Sequence, residues 1–545
     1  MIRRLTAFSR TFFQMPMASA LRFTQKCEIF QWLRQYLRRA VASVSVLSMA
    51  VSLMACSEEE QAVTECVFPA SWAIEVPGSG VGERDPASQF IDQTTFLGGP
   101  LTGLSQPIVG REIVHRFEVP DLGENGSITL SARTRGFPEE LVGSAYPFLV
   151  ELHDGARDVI NLKRSGNAGD CAQSGIFSCS NGNCTVNSGC SLNSPSAFQD
   201  RSHWQQYQLP PFGYTSTNTF PTCFWDTGSP NCAYNDQFFD QGKLRTGSYT
   251  AKYVLLTSNY SSVGNFIAQI EVRTLMKMDP DYAPSGPNGA IDINLIAVGQ
   301  ANRNALNTPS VQNNFSQIMQ SVQDHWNQDR PGLKLGNIRS YEWTCPDSGE
   351  LFASIDLEEI DAILSEGSRA LIGSEDARAV NVFLVSDIPS RSNRSTILGV
   401  SGAILGPSLN GTGTSGVVVA TNDQLESMTS GSRTARTFSE TITHEVGHFL
   451  GLNHLSEREG TMHDYLTDTP ECPASGGEVT HQSCRSVSSC GALCTGTVCP
   501  TVAACQFNHA MWYRTKVYDS GSSQGDGNLF SEQSSRVINF SPMAR

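Results

Sequence analysis

The stretch ITHEVGHFLGLNHLSE, residues 442–457, places three histidines, a glutamate and two glycines within thirteen positions. His444 and His448 are four residues apart, so a helix stacks them one turn above the other on a single face, with Glu445 beside them. At about 100° per residue, Ile442, Val446, Phe449 and Leu450 gather on one side of that helix and the two histidines on the other. The first side suits burial in a core and the second suits the wall of a cleft. Gly451 stands where the helix should end, because glycine enters the left-handed conformation without steric cost and lets the chain turn sharply. The turn brings His454 back towards the first two histidines.

Three neutral imidazoles around one open position are the ligand set of a catalytic zinc, whereas a structural zinc is closed by a fourth protein ligand. Zinc lowers the pKa of a water in the open position and polarises a carbonyl, and a carboxylate one residue from a ligand can take the water's proton. Glu445 is the candidate base. The short motif HExxH also arises by chance, as an amphipathic surface helix with two histidines. The longer HExxHxxGxxH does not arise so easily. With 10 His and 47 Gly in 545 residues, its chance appearance is on the order of 10⁻⁵ per chain, and it is the signature of the metzincins.

Composition narrows the function classes. The length suffices for about two to four domains. A formal net charge of −15 argues against a nucleic-acid partner, which requires a basic face. Residues 40–55, AVASVSVLSMAVSLMA, are uncharged, follow Arg38 and Arg39 and run into Cys56, as the apolar part of an export signal does. LMAC resembles a bacterial lipobox, whose cysteine is lipidated after cleavage on its N-terminal side. Sixteen residues are short for a spanning helix, which favours cleavage over a retained anchor. The expectation is an exported lipoprotein at the outer membrane or cell surface, attached through Cys56 alone. From Cys56 onward the chain carries 30 Lys and Arg against 52 Asp and Glu, a surface that stays soluble and can hold divalent cations. Apart from Cys27 and Cys56, 14 of the 16 cysteines remain, an even number that fits a disulfide framework in an exported protein. The competing reading is a structural zinc in CGALCTGTVC (490–499), a kind of site that belongs more often to reducing compartments.

The chain divides by pattern into a signal peptide with an N-terminal extension (1–55), a lipidated tether (56–65), a β-rich accessory domain (66–278), a linker (279–289) and a final region (290–545). REIVHRFEV (111–119), SITLSAR (127–133), YPFLVELHD (146–154), YTAKYVLLT (249–257) and NFIAQIEVRTL (265–275) mix alternation with β-branched and aromatic residues. A sandwich or jelly-roll module follows from them, with a Cys-rich insertion holding Cys171, Cys179, Cys184 and Cys190. MDPDYAPSGPNGA (278–290) breaks the pattern with prolines and glycines. Beyond it, strand and helix alternate: IDINLIAVG is a strand, Thr308-Pro309 starts a helix with Val311, Phe315, Ile318, Val322 and Trp326 at helical spacing, and AVNVFLVSDI (379–388) and GVVVAT (416–421) are further strands.

Residues 290–545 resemble the pappalysin-like branch of the metzincins, extracellular zinc endopeptidases. The resemblance is carried by HEVGHFLGLNH (444–454), by DYLTDTPEC (464–472), which is similar to the family's DxxxDTP segment, and by CQFNHAMWY (505–513), which is similar to its Met-turn. One extra residue separates Asn508 from Met511, while the Met511-x-Tyr513 spacing is kept. LFSEQSSRV (529–537) is only loosely like the family's F-T-x-x-Q-x-x-R-M. The resemblance implies an α+β metzincin-type catalytic domain, with a twisted sheet, an active-site helix and a Met-turn, preceded here by the all-β sandwich or jelly-roll-like domain. It implies a zinc metalloendopeptidase acting on protein or peptide substrates, with zinc on His444, His448 and His454, Glu445 as general base and Tyr513 as a second catalytic group. Met511 would form an apolar floor beneath the metal, and Asp464 and Asp468 a calcium site. Each of the last four residues also has a plain reading: a core methionine, two turn residues in a DTP context and a buried aromatic.

Two other classes stay open on the sequence. A metzincin domain that has lost activity could serve as a surface adhesin, although an intact Glu445 speaks against a mere metal-held scaffold. A latent form could have part of residues 66–289 across the metal, with Cys66 or Cys345 as a thiolate plug.

Overall fold

In the first half of the chain, β-branched and aromatic residues alternate with polar ones and give antiparallel sheets. A computed structural model describes residues 70–73, 89–97, 112–122, 126–135, 145–161, 244–257, 269–278, 290–326, 334–343, 352–369, 371, 378–389, 397–404, 406–408, 410–411, 413–429, 432–455, 511, 530, 534, 537–539 and 541–544. It also describes the backbone of short strands between 177 and 233. All of these belong to the second of two compact units, Met1–Cys66 and Val67–Arg545. No helix among the described residues is long and apolar enough to cross a membrane. Cys56, Cys66, Cys345, Asp464, Asp468, Tyr513 and the cysteines from 472 to 505 lie outside the described residues.

The strands before the linker are β1 (Ala70–Ala73), β2 (Gln89–Leu97), β3 (Glu112–Val119), β4 (Ser127–Arg135), β5 (Ala145–His153), β6 (Asp158–Asn161), β7 (Phe177–Ser180), β8 (Asn183–Val186), β9 (Gln205–Gln206), β10 (Thr215–Pro221), β11 (Trp225–Asp226), β12 (Ser229–Ala233), β13 (Gly247–Thr257) and β14 (Gln269–Met278). One antiparallel sheet has the order β2-β14-β4-β10-β9 and a second has the order β3-β13-β5-β6. β7–β8 and β11–β12 pair separately, and Cys179 lies opposite Cys184 in the first of these pairs. The two large sheets meet face to face: His115 on β3 reaches Thr274 on β14 at 2.9 Å, and its ring stacks on Phe117. β14 is buried on both sides for a reason visible in its alternation. Val272, Thr274 and Met276 share the face that turns to the second sheet, while Arg273 and Lys277 turn the other way, towards the second half of the chain.

After the linker come β15 (Ala290–Ala297), α1 (Gln300–Leu306), α2 (Pro309–Trp326), β16 (Lys334–Glu342), α3 (Ile360–Arg369), β17 (Val380–Val385), β18 (Gly399–Ser401), β19 (Val417–Ala420) and α4 (Arg433–Phe449). They build one sheet of order β1-β16-β15-β17-β19-β18. The four inner strands are parallel, and β1 and β18 close the two edges antiparallel. Every residue of β17 and β19 is buried, which is why these strands read as unbroken apolar runs: helices cover both faces of a parallel sheet. Ile293, Leu295, Val382 and Val419 share one core with α2 and α4, and Ile296, Phe383 and Val418 share another with Ile363 and Leu364 of α3. α2 starts at Pro309, where a missing N–H costs nothing, and buries Val311, Phe315, Ile318, Val322 and Trp326. β1 falls in the stretch 66–278 expected to be a separate β-rich domain, yet it completes this sheet, with Ala73 opposite Arg339. Phe530, Ile538 and Met543 return to the core beneath α2 and α4.

Candidate metal centre

α4 presents the histidine pair because its sequence fixes both its rotation and its ends. Ala435, Phe438, Ile442, Val446 and Phe449 are buried against α2 and the sheet, and Phe438 meets Phe315 edge to face at 5.8 Å. The helix starts at Ser432, whose side chain accepts the Ala435 N–H at 3.1 Å and so satisfies one of the donors that the first turn leaves over. His325, at the end of α2, lies 3.1 Å from Thr443 Oγ1. The Thr443 hydroxyl donates to Ser439 O at 2.9 Å, so it accepts from the His325 Nδ1–H and ties the rotation of α4 to α2. At the other end Gly451 has φ 110°, a value that side chains avoid. The Leu452 N–H closes back on Gly447 O at 3.0 Å.

The turn at Gly451 brings His454 to the pair. The Nε2 atoms of His444, His448 and His454 form a triangle with all three edges at 3.1 Å. These three residues are the group among the described residues that could hold a metal ion. Zinc bonded to nitrogen at about 2.0–2.1 Å in a tetrahedral site spaces its ligands by about 3.3 Å, so the triangle fits three corners of such a site. The His448 Nδ1–H donates to Leu452 O at 2.6 Å, which leaves Nε2 as the lone pair for a metal. Burial, then the neighbouring His454 and His444, hold the His448 imidazole well below its ordinary pKa of 6.5. It stays neutral, the form that binds metal.

Glu445 is 7% exposed, and burial pushes its carboxyl up to about 8 against the opposing effect of the Ser401 backbone N–H, which donates to it. That donor sits on β18, an edge strand of the sheet among the described residues. Gly399 on the same strand lies flat against Glu445: a Cβ there would stand 2.7 Å from Glu445 Cγ and 2.8 Å from Thr441 Cγ2. Below the helix, Met511 is buried, and its Sδ would be 2.6 Å from a Cβ placed on Gly447. Its carbonyl accepts the Leu455 N–H at 3.3 Å, directly after the third histidine. The structure therefore brings His444, Glu445, His448, Gly451, His454 and Met511 together. Ser401, Gly399, Thr443 and His325 join them, and none of these four is legible in the sequence, because no spacing rule links an edge strand or a distant helix to an HExxH stretch.

Residues 288–496 match the model of a metallopeptidase family, Reprolysin_5, metallo-peptidase family M12. This part of the chain is a metallopeptidase domain. Among solved structures, metalloproteinase-II from Bacteroides fragilis is similar to 34% of this chain at 10% identity and a TM-score of 0.20, an overlap too slight to carry an argument. The chain spans about half of that protein, 54% of its length. Among proteins of curated function none matches. The match to the family model takes in all three histidines and Glu445 of the metallopeptidase domain and ends before Met511.

Proposed function

We propose that the metallopeptidase domain is a zinc-dependent endopeptidase of pappalysin-like type, carried by an exported lipoprotein. The observation that supports this most is the triangle of Nε2 atoms beside a buried glutamate whose backbone partner lies on the edge strand of the described sheet. Zinc held by the three imidazoles supplies positive charge that polarises a peptide carbonyl, acidifies water and keeps Glu445 ionised. Glu445 takes the proton of the attacking water and returns it to the leaving amine. A substrate strand adds antiparallel to β18, which is an edge of the sheet among the described strands and whose backbone can align an extended peptide. Tyr513, two residues beyond Met511, donates a hydrogen bond to the oxyanion, a contact made in the transition state and absent before it.

Metal analysis combined with a casein or peptide assay tests the reading. Wild type should hold one zinc per chain, and Glu445→Gln should keep that zinc while turnover collapses by several orders of magnitude. Equal activity in the variant would refute the mechanism. Three finer parts have their own tests. Tyr513→Phe should lower kcat by about 10² with zinc content unchanged, and a wild-type kcat reduces the residue to packing. Asp464 and Asp468 bind calcium, and removing calcium from zinc-replete protein should lower both the melting temperature and activity. Cys56→Ala should abolish processing and membrane attachment, read by intact mass of the membrane-extracted protein.

A further inference from the structure

β18 and α4 meet at Glu445, which accepts the Ser401 N–H and lies against Gly399. Towards the start of α4 a cavity of about 220 Å³ opens between that helix, Leu398 just before β18 and the segment that follows β19. Leu398, Met428 and Phe438 give it apolar walls, and Thr434, Thr437 and Thr441 line it with hydroxyls from one face of α4. Gly399 would clash with Thr441 and Glu445 alike if it carried a Cβ, so the cavity and the base share a wall. The one charged side chain among its lining residues is Arg433, which is exposed and has no ion-pair partner among the described residues. No carboxylate lines the cavity.

Distance and direction place a substrate in it. Along the helix, at about 1.5 Å per residue, Thr441 lies about 6 Å and Thr437 about 12 Å before Glu445. An extended peptide covers that span in about two to four residues, and the long side chains of Arg433, about 18 Å before Glu445 along the helix, and of an acidic residue close the remainder. A peptide paired antiparallel with β18 runs from Ser401 towards Leu398, so the residues that arrive are those after the scissile bond. The acidity of the whole chain does not cancel the pull of Arg433, because charges beyond about 8 Å are screened at physiological salt.

We infer that this cavity is a second specificity pocket that takes a carboxylate carried two to four residues C-terminal to the scissile bond; the inference rests on the peptidase reading above. The carboxylate belongs to a Glu or Asp side chain or to the end of a short peptide, and one experiment separates these. Quenched fluorescent peptides carry Glu, Gln or Lys at the second, third or fourth position after the scissile bond and end in an amide; a matching neutral set ends there in a free carboxylate. At one position kcat/KM for Glu should exceed that for Lys by about fivefold or more, with Gln between. Arg433→Glu should reverse the order and Arg433→Gln should flatten it, both with wild-type melting curves. A preference confined to free carboxyl ends, and lost in Arg433→Glu, identifies a chain terminus as the source. Equal rates across all of these peptides, or a preference that both Arg433 variants keep, overturns the pocket while leaving the peptidase standing. No cleavage of any peptide, or cleavage undiminished in Glu445→Gln, overturns the peptidase reading and the pocket with it.

Discussion

Gly399 shows how much the site asks of a single residue. A methyl group at this position would press on Glu445 Cγ at 2.7 Å and come within 3.0 Å of its Oε1, both well inside van der Waals contact. The strand is half exposed, so the chain can yield with little loss of stability, and the displacement falls on the base. Gly399→Ala should therefore lower kcat by about tenfold or more, since a shift of about 1 Å in a catalytic group costs up to 10². Zinc content and melting temperature should change little. Wild-type kcat in this variant would mean that Glu445 tolerates the contact. The clustering of His444, His448 and His454 was legible at this scale because their spacing is a local property of one helix and one turn. Gly399 was not, because its importance comes from a neighbour 46 positions away, and no periodicity carries that information.

Among the elements, the buried strands contradict their own polar residues. IDINLIA (291–297) alternates polar and apolar residues at its start, as a half-exposed strand would, yet Asp292 and Asn294 are 4% and 0% exposed. Side-chain amides resolve the conflict. Asn294 donates to Asn381 Oδ1 at 3.0 Å, and Asn381 donates to Asn410 Oδ1 at 2.8 Å and to Ser415 O at 3.0 Å. The ladder runs from β15 through β17 into the loop before β19, the segment from which Gly406 N–H reaches Phe449 O at the end of α4. Asn381→Ala removes the middle rung and leaves buried amide groups without partners, which should cost about 2–4 kcal/mol. Chemical denaturation measures it, and a loss below about 1 kcal/mol would mean that water or relaxation replaces the rung. The amphipathic helices were legible, since α2 and α4 each bury one stripe at helical spacing. The antiparallel edges were not: β1 and β18 have four and three residues, too few for a pattern.

Across the whole molecule, the accessory sheets are bonded to the metallopeptidase domain rather than strung beside it. Arg273 on β14 holds Asp92 at 2.5 Å and donates to Ser408 O, and Arg378 joins the same carboxylate at 3.2 Å. Burial raises the Asp92 carboxyl, but the hydrogen bonds and charges of Arg273 and Arg378 outweigh it and leave the pKa below 3.8. Lys277, 1% exposed, donates to Asn539 O at 2.5 Å. Loss of packing in the sandwich should thus weaken the whole second unit, and His115 offers a way to read this by pH. His115 is 1% exposed between the two sheets, and burial pushes it down to about 4. In the unfolded chain it titrates near 6.5. Above pH 6.5 both states are neutral and the group leaves stability unchanged. As pH falls from about 6.5 to about 4, only the unfolded chain takes the proton, so stability drops, by up to about 3 kcal/mol. Below about 4 the folded state protonates too and the loss stops growing. The readout is the difference between wild type and His115→Gln, which keeps a hydrogen-bonding group without the charge and cancels what the two proteins share. The melting temperature of wild type should fall more steeply between pH 6.5 and 4 than that of the variant, with the metallopeptidase core and the sandwich melting together. Parallel pH profiles would show that His115 is reached by water in the folded state, and two separate transitions would show that Arg273 and Lys277 do not couple the sheets to the peptidase core.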